Sequence, residues 1–586
     1  MRFVDVVPVR RMPADRPWLT YALPEEMTIA IGWLVTIPLR GRPVLGVVWN
    51  IHDQAPSMKT QNISTIHLTS PIISDWQRGV CEIMARSGST SLGDVLFRIV
   101  PKLTLRNLQK KISGTLPEQK AQTHQTSTLN WYRSRTEALD LIEKKLREVS
   151  EPIVIITPTN DDAEELVRLS EQQGRTAVHI HSQLAPTIYA EWYNRVRNGE
   201  LLVVVGGVSA LSMPFTRTPC IILDQEEHHA HKQTSQSPYY DHRVILNQLQ
   251  VAITKTTPAP SIATWNNQQL TPPVFTSQRK MLSLHGPKVA PLLTQAVLDV
   301  IDEGIEHNKK ILCISPRRGY ASTTACRACG TALTCPTCGR TASVFRGLAD
   351  EARCHSCQTS IPLRTTCQKC GSAEWVFQGY GIEQTASALQ RLRPEITITP
   401  MVDPTIEFDV AVDTYQVYRA IRHINNLGAV VVMSGDSLLS SPDYSVAERA
   451  WQYLARLQAE APTIPLYVQT FEPESLFWQR WLHGDDQAWY TDEVAQRQRL
   501  HVPPFVTQWI ASWRGEKSEV HKKISELTTT YGQIITVRPL PEQKKSATRH
   551  RLLLQFKQPN DASTFPWTKL FPLPWHLDQY PTSWVD

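Results

Sequence analysis

Residues 317–340 read RRGYASTTACRACGTALTCPTCGR and carry two Cys-x-x-Cys pairs, Cys326/Cys329 and Cys335/Cys338. Two more pairs follow in the same region, Cys354/Cys357 and Cys367/Cys370. A Cys-x-x-Cys turn places two thiolates on one side of a tight knuckle, at the bite that tetrahedral zinc requires, and two knuckles close a four-thiolate site. Gly330, Gly339 and Gly371 each follow a knuckle, where the backbone must turn freely. Four evenly built knuckles match zinc ribbons better than ferredoxin spacings, so two Zn2+ ions are expected. A site with four thiolates has no open position, which makes these ions structural. His355 lies inside a knuckle and reads as a bystander. Cys81, Cys220 and Cys313 are scattered and read as buried thiols.

Working outward, the cysteine region interrupts a strand-and-helix rhythm. KKILCISP (309–316) precedes it, and FDVAVDTY and AVVVMSG resume the strands beyond it. Upstream, the amphipathic TEALDLIEKKLREV is followed by PIVIITP, LLVVVGG and CIILDQ, with helical stretches between some of these runs. Alternating strands and helices imply parallel α/β sheets. Residues 1–70 are different: VDVVPV, LVTIPL and PVLGVVWNI are short β-branched runs broken by Pro and Gly, which fits a small barrel. Residues 71–126 carry helical patterns of a winged-helix-like unit, and the polar LPEQKAQTHQTSTLN (116–130) reads as a linker. The tail, 481–586, mixes helix and strand with a basic run, KKSATRHR (544–551).

At 586 residues the chain is too long for one hydrophobic core. Its net charge of +6 permits a nucleic-acid partner without demanding one. The opening MRFVDVVPVRRMPADRP has no apolar run of the signal-peptide kind, and LLVVVGGVSAL (201–211) is too short to span a bilayer. The expectation is a cytoplasmic chain with no membrane partner. Clustered cysteines in that compartment point to metal rather than disulfides.

A two-zinc insertion after Pro316-Arg317-Arg318-Gly319-Tyr320-Ala321 resembles the bacterial primosomal protein N′ family, replication-restart DNA helicases of superfamily 2. Other landmarks follow in family order. VVVGGVSALSMPF (203–215) resembles the family's VVVGTRSALFAPF, HKQ (231–233) its YKQ, and GYGIE (379–383) its G-x-G-T-E. SSPDYSVAERAWQYL (440–454) and RQRLHVPPF (497–505) resemble two further family stretches. The resemblance implies a multidomain α/β chain. It would have an N-terminal β-barrel that holds a DNA 3′ end (1–70), a winged-helix-like unit (71–126) and a first RecA-like lobe (127–300). A second lobe (301–480) would carry the zinc insertion (322–375), and an α+β C-terminal domain (481–586) would bind DNA and partners. It also implies nested zinc pairing, with Cys326, Cys329, Cys367 and Cys370 on one ion and Cys335, Cys338, Cys354 and Cys357 on the other.

The motor motifs depart from the family. Its phosphate-binding G-x-T-G-S-G-K-T-E corresponds to LNWYRSRTE (129–137), which has no glycine and has Arg135 in place of the lysine, followed by Thr136. Without glycine, Cβ atoms crowd a phosphate cradle, and Arg is a poor stand-in for that lysine. The family's D-E-E-H corresponds to Asp224-Gln225-Glu226-Glu227, so an amide replaces the glutamate that would polarise water. Asp224 is the remaining candidate beside a metal, and the acidic cluster as a whole reads as a solvated strand end. Ile262-Ala263-Thr264-Trp265 replaces Ser-Ala-Thr-Pro, and ARLQAEAP (455–462) replaces the arginine-finger motif, with Arg456 out of register. ATP and Mg2+ are therefore doubtful cofactors.

In the barrel, Leu19-Thr20-Tyr21 stands where the family has F-D-Y, which removes an acceptor for a terminal nucleotide. Arg40 and Arg42 read either as phosphate contacts or as a solvated turn. Lys544, Lys545, Arg549 and Arg551 form the basic run of the tail, read either as a DNA or partner contact or as a solvated face. The expected function is a replication-restart protein, monomeric, that binds forked and single-stranded DNA. It would recruit single-strand-binding protein and helicase-loading or other primosome proteins without helicase activity. The alternative is an active ATP-dependent 3′→5′ helicase.

Overall fold

Six apolar runs of the middle region lie side by side and parallel, in the order Thr128–Trp131, Ile253–Thr257, Cys220–Leu223, Ile153–Ile156, Val203–Gly206 and Ala177–Ile180. The computed structural model describes residues 2–99, 127–316, 351–540 and 549–579, apart from short stretches within them, together with 323–328, 333 and 342–344. Ile153–Ile156 and Val203–Gly206 are buried along their whole length, as a parallel sheet covered on both faces requires. The helix Arg135–Glu148 covers part of this sheet with Ile142 and Leu146, four residues apart, while Ala138 packs with Tyr132 and Ala459. Ser134 caps its N terminus by accepting a bond from the Glu137 N–H. The Val149 backbone is already extended where the helix stops.

A second parallel sheet has the order Arg279–Ser283, Leu466–Thr470, Leu427–Val432, Lys310–Ile314, Val410–Asp413 and Ile398–Pro400. Its first strand lies upstream of residue 301, so the second lobe begins earlier than the sequence reading placed it. The strand RKMLS has no fully buried side chain, as befits a sheet edge, and its pattern alone does not declare a lobe. The helix Asp486–Leu500 also packs on this lobe: Trp489 stacks on Trp451 at 4.3 Å, and Asp486 pairs with Arg279 at 3.3 Å.

The cysteine region leaves this sheet between Lys310–Ile314 and Val410–Asp413 as nested antiparallel ribbons. Thr323–Cys326 pairs with Trp375–Gln378 on the outside, and Ala342–Val344, Glu351–Cys354 and Ser360–Pro362 form the inner sheet.

The N-terminal strands form an antiparallel sheet, Leu19–Leu23, Arg2–Pro8, Arg42–His52, Leu34–Leu39 and Thr65–Ile66, whose two edges are brought together by a bridge between Ala22 and Asn62. Two helices follow, Asp75–Ser87 and Leu92–Ile99. The first is bonded directly to the first lobe: Trp76 Nε1 donates to the Leu211 carbonyl at 2.8 Å and Gln77 Nε2 to that of Ser212 at 2.6 Å. Tyr193 of the first lobe returns a bond to the Ile72 carbonyl, and all these side chains sit in buried surroundings. Residues 100–126, including most of the expected linker, lie outside the described residues. The tail forms a four-stranded antiparallel sheet, Ile535–Pro539, Arg549–Phe556, Thr507–Arg514 and His576–Gln579, backed by the helix Lys517–Tyr531. Among the described residues no helix is long and apolar enough to cross a membrane.

Candidate functional site

In open α/β sheets, ligands collect at the carboxyl ends of the strands. In the first lobe these ends carry Tyr132, Asp224 and Thr257, and the second lobe faces them with Tyr418, Arg419, Arg422 and Arg456. The connection from Thr128–Trp131 into the helix at Arg135 is only Tyr132-Arg133-Ser134. Glu137 Oε2 accepts the Arg133 N–H at 2.8 Å while Ser134 takes the Glu137 N–H. The helix terminus is thus satisfied by its own side chains rather than left open for an anion.

Arg135 is buried, and its guanidinium bonds carboxylates on two sides. Nη1 donates to Asp224 Oδ1 at 2.7 Å, and Nε and Nη2 donate to Glu165 Oε2 at 3.1 and 2.9 Å. Asp224 is fully inaccessible and also accepts from Thr256 Oγ1 at 2.8 Å. Burial alone would lift the Asp224 carboxyl. The adjacent guanidinium, with bonds from Arg135, Thr256 and Gln225, outweighs it and holds the carboxyl below its ordinary range. Thr136 is exposed. The residues present do not fit a nucleotide triphosphate. The phosphate cradle is a three-residue connection, and Oδ1 of the carboxylate that would face Mg2+ is taken by Arg135.

The expectation of a solvated acidic strand end is corrected. Asp224, Gln225, Glu226 and Glu227 are all at most 3 % exposed. Glu226 accepts from Ser261 N, Ser261 Oγ and Thr264 Oγ1 at 3.0, 2.7 and 2.8 Å. Glu227 accepts from Thr257 Oγ1 at 2.9 Å and pairs with Arg456 of the second lobe at 3.2 Å. Burial pushes Glu227 up to about 7 against the pull of Arg456. These partners are 30 or more residues away in sequence, so no local pattern announces them. Gln225 adopts φ +52, a left-handed conformation unusual for a side chain of its length, where the chain turns off the strand. His228 Nε2 and Tyr418 Oη lie 2.8 Å apart across the lobes. His231 Nε2 bonds the Asp224 carbonyl at 2.9 Å.

Arg456, out of register by sequence, is therefore brought to the first lobe. Arg419 and Arg422 were not singled out from sequence at all, nor was Glu165. The only local signal was the charge density of DDAEE (161–165) at the start of the helix Asn160–Gln172.

Three of the cysteines expected on one ion converge. Cys326, Cys367 and Cys370 hold their sulfurs within 4.8 Å of one another, with Cys326 and Cys370 Sγ atoms 3.5 Å apart. Cys326 and Cys367 are buried. Gly371, at φ +74, turns the chain after Cys370, and its N–H returns to the Cys367 carbonyl at 2.8 Å. Zinc–sulfur bonds of about 2.3 Å would span such a cluster. Cys329, Cys335, Cys338 and Cys357 lie outside the described residues, as does the side chain of Cys354.

Arg40 and Arg42 are exposed at the turn between Leu34–Leu39 and Arg42–His52, with Arg40 at φ +49 and Gly41 at +74. Lys544, Lys545 and the side chain of Arg549 lie outside the described residues. Arg551 is only 4 % exposed within its strand, which corrects its place in an exposed basic face.

A family model described as "3'DNA-binding domain (3'BD)" matches residues 7–101. Replication restart protein PriA of Rickettsia conorii is 22% identical over 553 residues, covering 83% of this chain and 84% of that protein. PriA of Chlamydia pneumoniae is 24% identical, covering 65% of this chain and 57% of that protein, and PriA of Bacillus subtilis is 24% identical, covering 63% and 50%. Among solved structures, RecG bound to a three-way DNA junction aligns over 67% of this chain and 49% of that one, at 10% identity and a TM-score of 0.34. With its N-terminal module matched by that family model and relatives aligned over most of its length, the chain is similar to the PriA replication restart proteins.

Proposed function

We propose that this chain binds branched DNA at stalled replication forks and serves as a docking platform for restart proteins, without hydrolysing ATP. The observation that carries the reading is Arg135, buried between Asp224 and Glu165 where a nucleotide's phosphates and metal would lie. With that guanidinium in place, both lobes act as a rigid body rather than a motor. The 3′DNA-binding match over residues 7–101 supports DNA as the ligand. Arg40 and Arg42, exposed on one turn, meet phosphate there, and such contacts weaken steeply with salt. The cysteine region holds two Zn2+, one on Cys326, Cys329, Cys367 and Cys370 and one on Cys335, Cys338, Cys354 and Cys357. These ions fix the ribbons that partners dock on. Single-strand-binding protein and helicase-loading proteins are the partner classes that the family relationship supports.

The test measures fork binding and ATP turnover in the same zinc-replete samples, with a fork bearing a nascent 3′ end. Fork binding without turnover above a protein-free blank is the expected result. Fork-stimulated turnover that is lost in Asp224→Ala overturns the reading and makes the chain a working helicase.

A further inference from the structure

We infer that the first lobe offers its own carboxylates to the arginines of the second lobe in place of a bound phosphate, which holds the two lobes closed without nucleotide. The inference rests on the reading that no nucleotide occupies the cleft, and it adds what fills the role instead.

Three arginines of the second lobe end on acidic groups of the first. Arg456, from the helix Val446–Glu460, places Nε and Nη2 3.2 Å from Glu227 Oε1, with both side chains buried. Arg422, from the 3-10 turn Ile421–His423, bonds Glu165 Oε1 and lies 2.9 Å from the Glu460 carboxylate of its own lobe as an ion pair. Arg419 lies 3.4 Å from Asp161 and 3.5 Å from Asp162. Further hydrogen bonds run alongside: Tyr418 with His228, the Ile262 N–H to Glu448 Oε1 at 2.9 Å, and Tyr490 Oη to the Pro260 carbonyl at 2.7 Å. Glu165 is shared, because its other oxygen accepts from Arg135. The pair that blocks the nucleotide site and the Arg422 pair that helps close the lobes therefore meet on one carboxylate.

In a nucleotide-driven pair of lobes, arginines reach across to a phosphate that arrives and leaves, and closure follows the ligand. A carboxylate attached to the chain does not leave. Its contacts are present in every state that keeps the lobes together, so nucleotide has no differential contact with which to shift the equilibrium. Buried ion pairs contribute little net stability, but they fix register, and separating them leaves uncompensated charge. The network therefore makes the relative position of the lobes a constant of the fold.

The experiment uses full-length, zinc-loaded protein with a donor and an acceptor fluorophore at the exposed positions Lys144 and Glu306, introduced through non-natural amino acids so that no thiol is touched. Single-molecule energy transfer is read with and without ATP or ADP–beryllium fluoride, and binding of a fluorescent ATP analogue is read in parallel. The expected result is one narrow population, unmoved by either nucleotide. In Arg419→Ala/Arg422→Ala, whose side chains are only partly buried, the closed fraction should drop at least about two-fold. In the wild type, high salt should broaden the distribution as it screens these outer pairs. A broad distribution in wild type at low salt, or no change in the double variant that stays folded by circular dichroism, overturns the inference. Nucleotide binding without any change in transfer overturns the reading of a cleft closed to nucleotide but leaves the closure of the lobes standing. Nucleotide-dependent closure overturns both.

Discussion

Replacing Arg135 by alanine isolates the central claim about the cleft. In the wild type, the Asp224 carboxylate is fully inaccessible, and its charge is met by one guanidinium nitrogen at 2.7 Å and by Thr256 Oγ1 at 2.8 Å. Arg135→Ala removes the guanidinium and leaves a buried carboxylate with a hydroxyl donor. Removing one partner of a buried pair costs about 3–5 kcal/mol. Glu165 also loses two bonds, but its side chain is 24% exposed, so water replaces them at a cost of about 1 kcal/mol or less. For a lobe of this size, each kcal/mol shifts the melting temperature by about 2–4 °C, so a drop of roughly 6–20 °C in the first-lobe transition follows. The assay is thermal melting followed by tryptophan fluorescence and hydrogen exchange, which separates lobes that need not unfold together. Arg135→Met combined with Asp224→Leu removes both charges and should recover all but about 2 kcal/mol, for the bonds lost by Thr256 and by Glu165. Arg135→Lys should fall between, because an ammonium cannot bridge Asp224 and Glu165 as the guanidinium fork does. The reasoning is refuted if Arg135→Ala melts within about 1 kcal/mol of wild type, or if Arg135→Lys gains ATP turnover without losing stability.

The two lobes together should lose stability as the pH falls below the ordinary histidine range. Burial holds His228, His229, His231 and His242 below their usual pKa, with His229 near 4 and His242 near 3, so the unfolded chain takes up protons that the folded chain refuses. Glu227 and Glu460, both lifted to about 7, work the other way between the ordinary glutamate value and 7. Four groups outweigh two, so stability should fall by roughly 2–3 kcal/mol per pH unit near pH 5.5, which urea titrations at several pH values would read. Cys370→Ser should lower bound zinc by about one equivalent in a metal analysis while leaving the inner ribbon's ion in place. Gly93→Ala should destabilise the N-terminal module by about 1–3 kcal/mol, since a Cβ there would sit 2.4 Å from the Arg10 carbonyl and 2.5 Å from that of Pro8, neither of which is a flexible side-chain end; proteolysis at residues 1–99 reports it.

Much of the architecture was legible because it rests on local periodicity. Runs such as IVII and VVVG are too short and too uniformly apolar for a surface helix, and both became central parallel strands. The convergence of Cys326, Cys367 and Cys370 was legible because knuckle spacing is itself the geometry. The cleft was read only in outline. Loss of the phosphate-binding glycines was visible at Arg135, but where the guanidinium goes was not, because Asp224 and Glu165 come from distant segments. The acidic strand end was misjudged for the same reason: a carboxylate's burial depends on donors such as Ser261, Thr264 and Arg456 that only tertiary packing delivers. Arg551 was misread from composition, since a basic run in sequence alternates its side chains between two faces once it becomes a strand. The edge strand Arg279–Ser283 lacked the apolar signature of its sheet because it has a neighbour on one side only.

The bonds from Trp76 and Gln77 to the Leu211 and Ser212 carbonyls, and from Tyr193 back to Ile72, carry a mechanical consequence. They fuse the N-terminal module to the first lobe through a shared interior, so the distance between any group held by the barrel and any group held by the lobes is set when the chain folds. On the proposed function such an assembly works as a caliper: a junction whose arms match its fixed span fits at once, and one whose arms do not must bend its own DNA to be held.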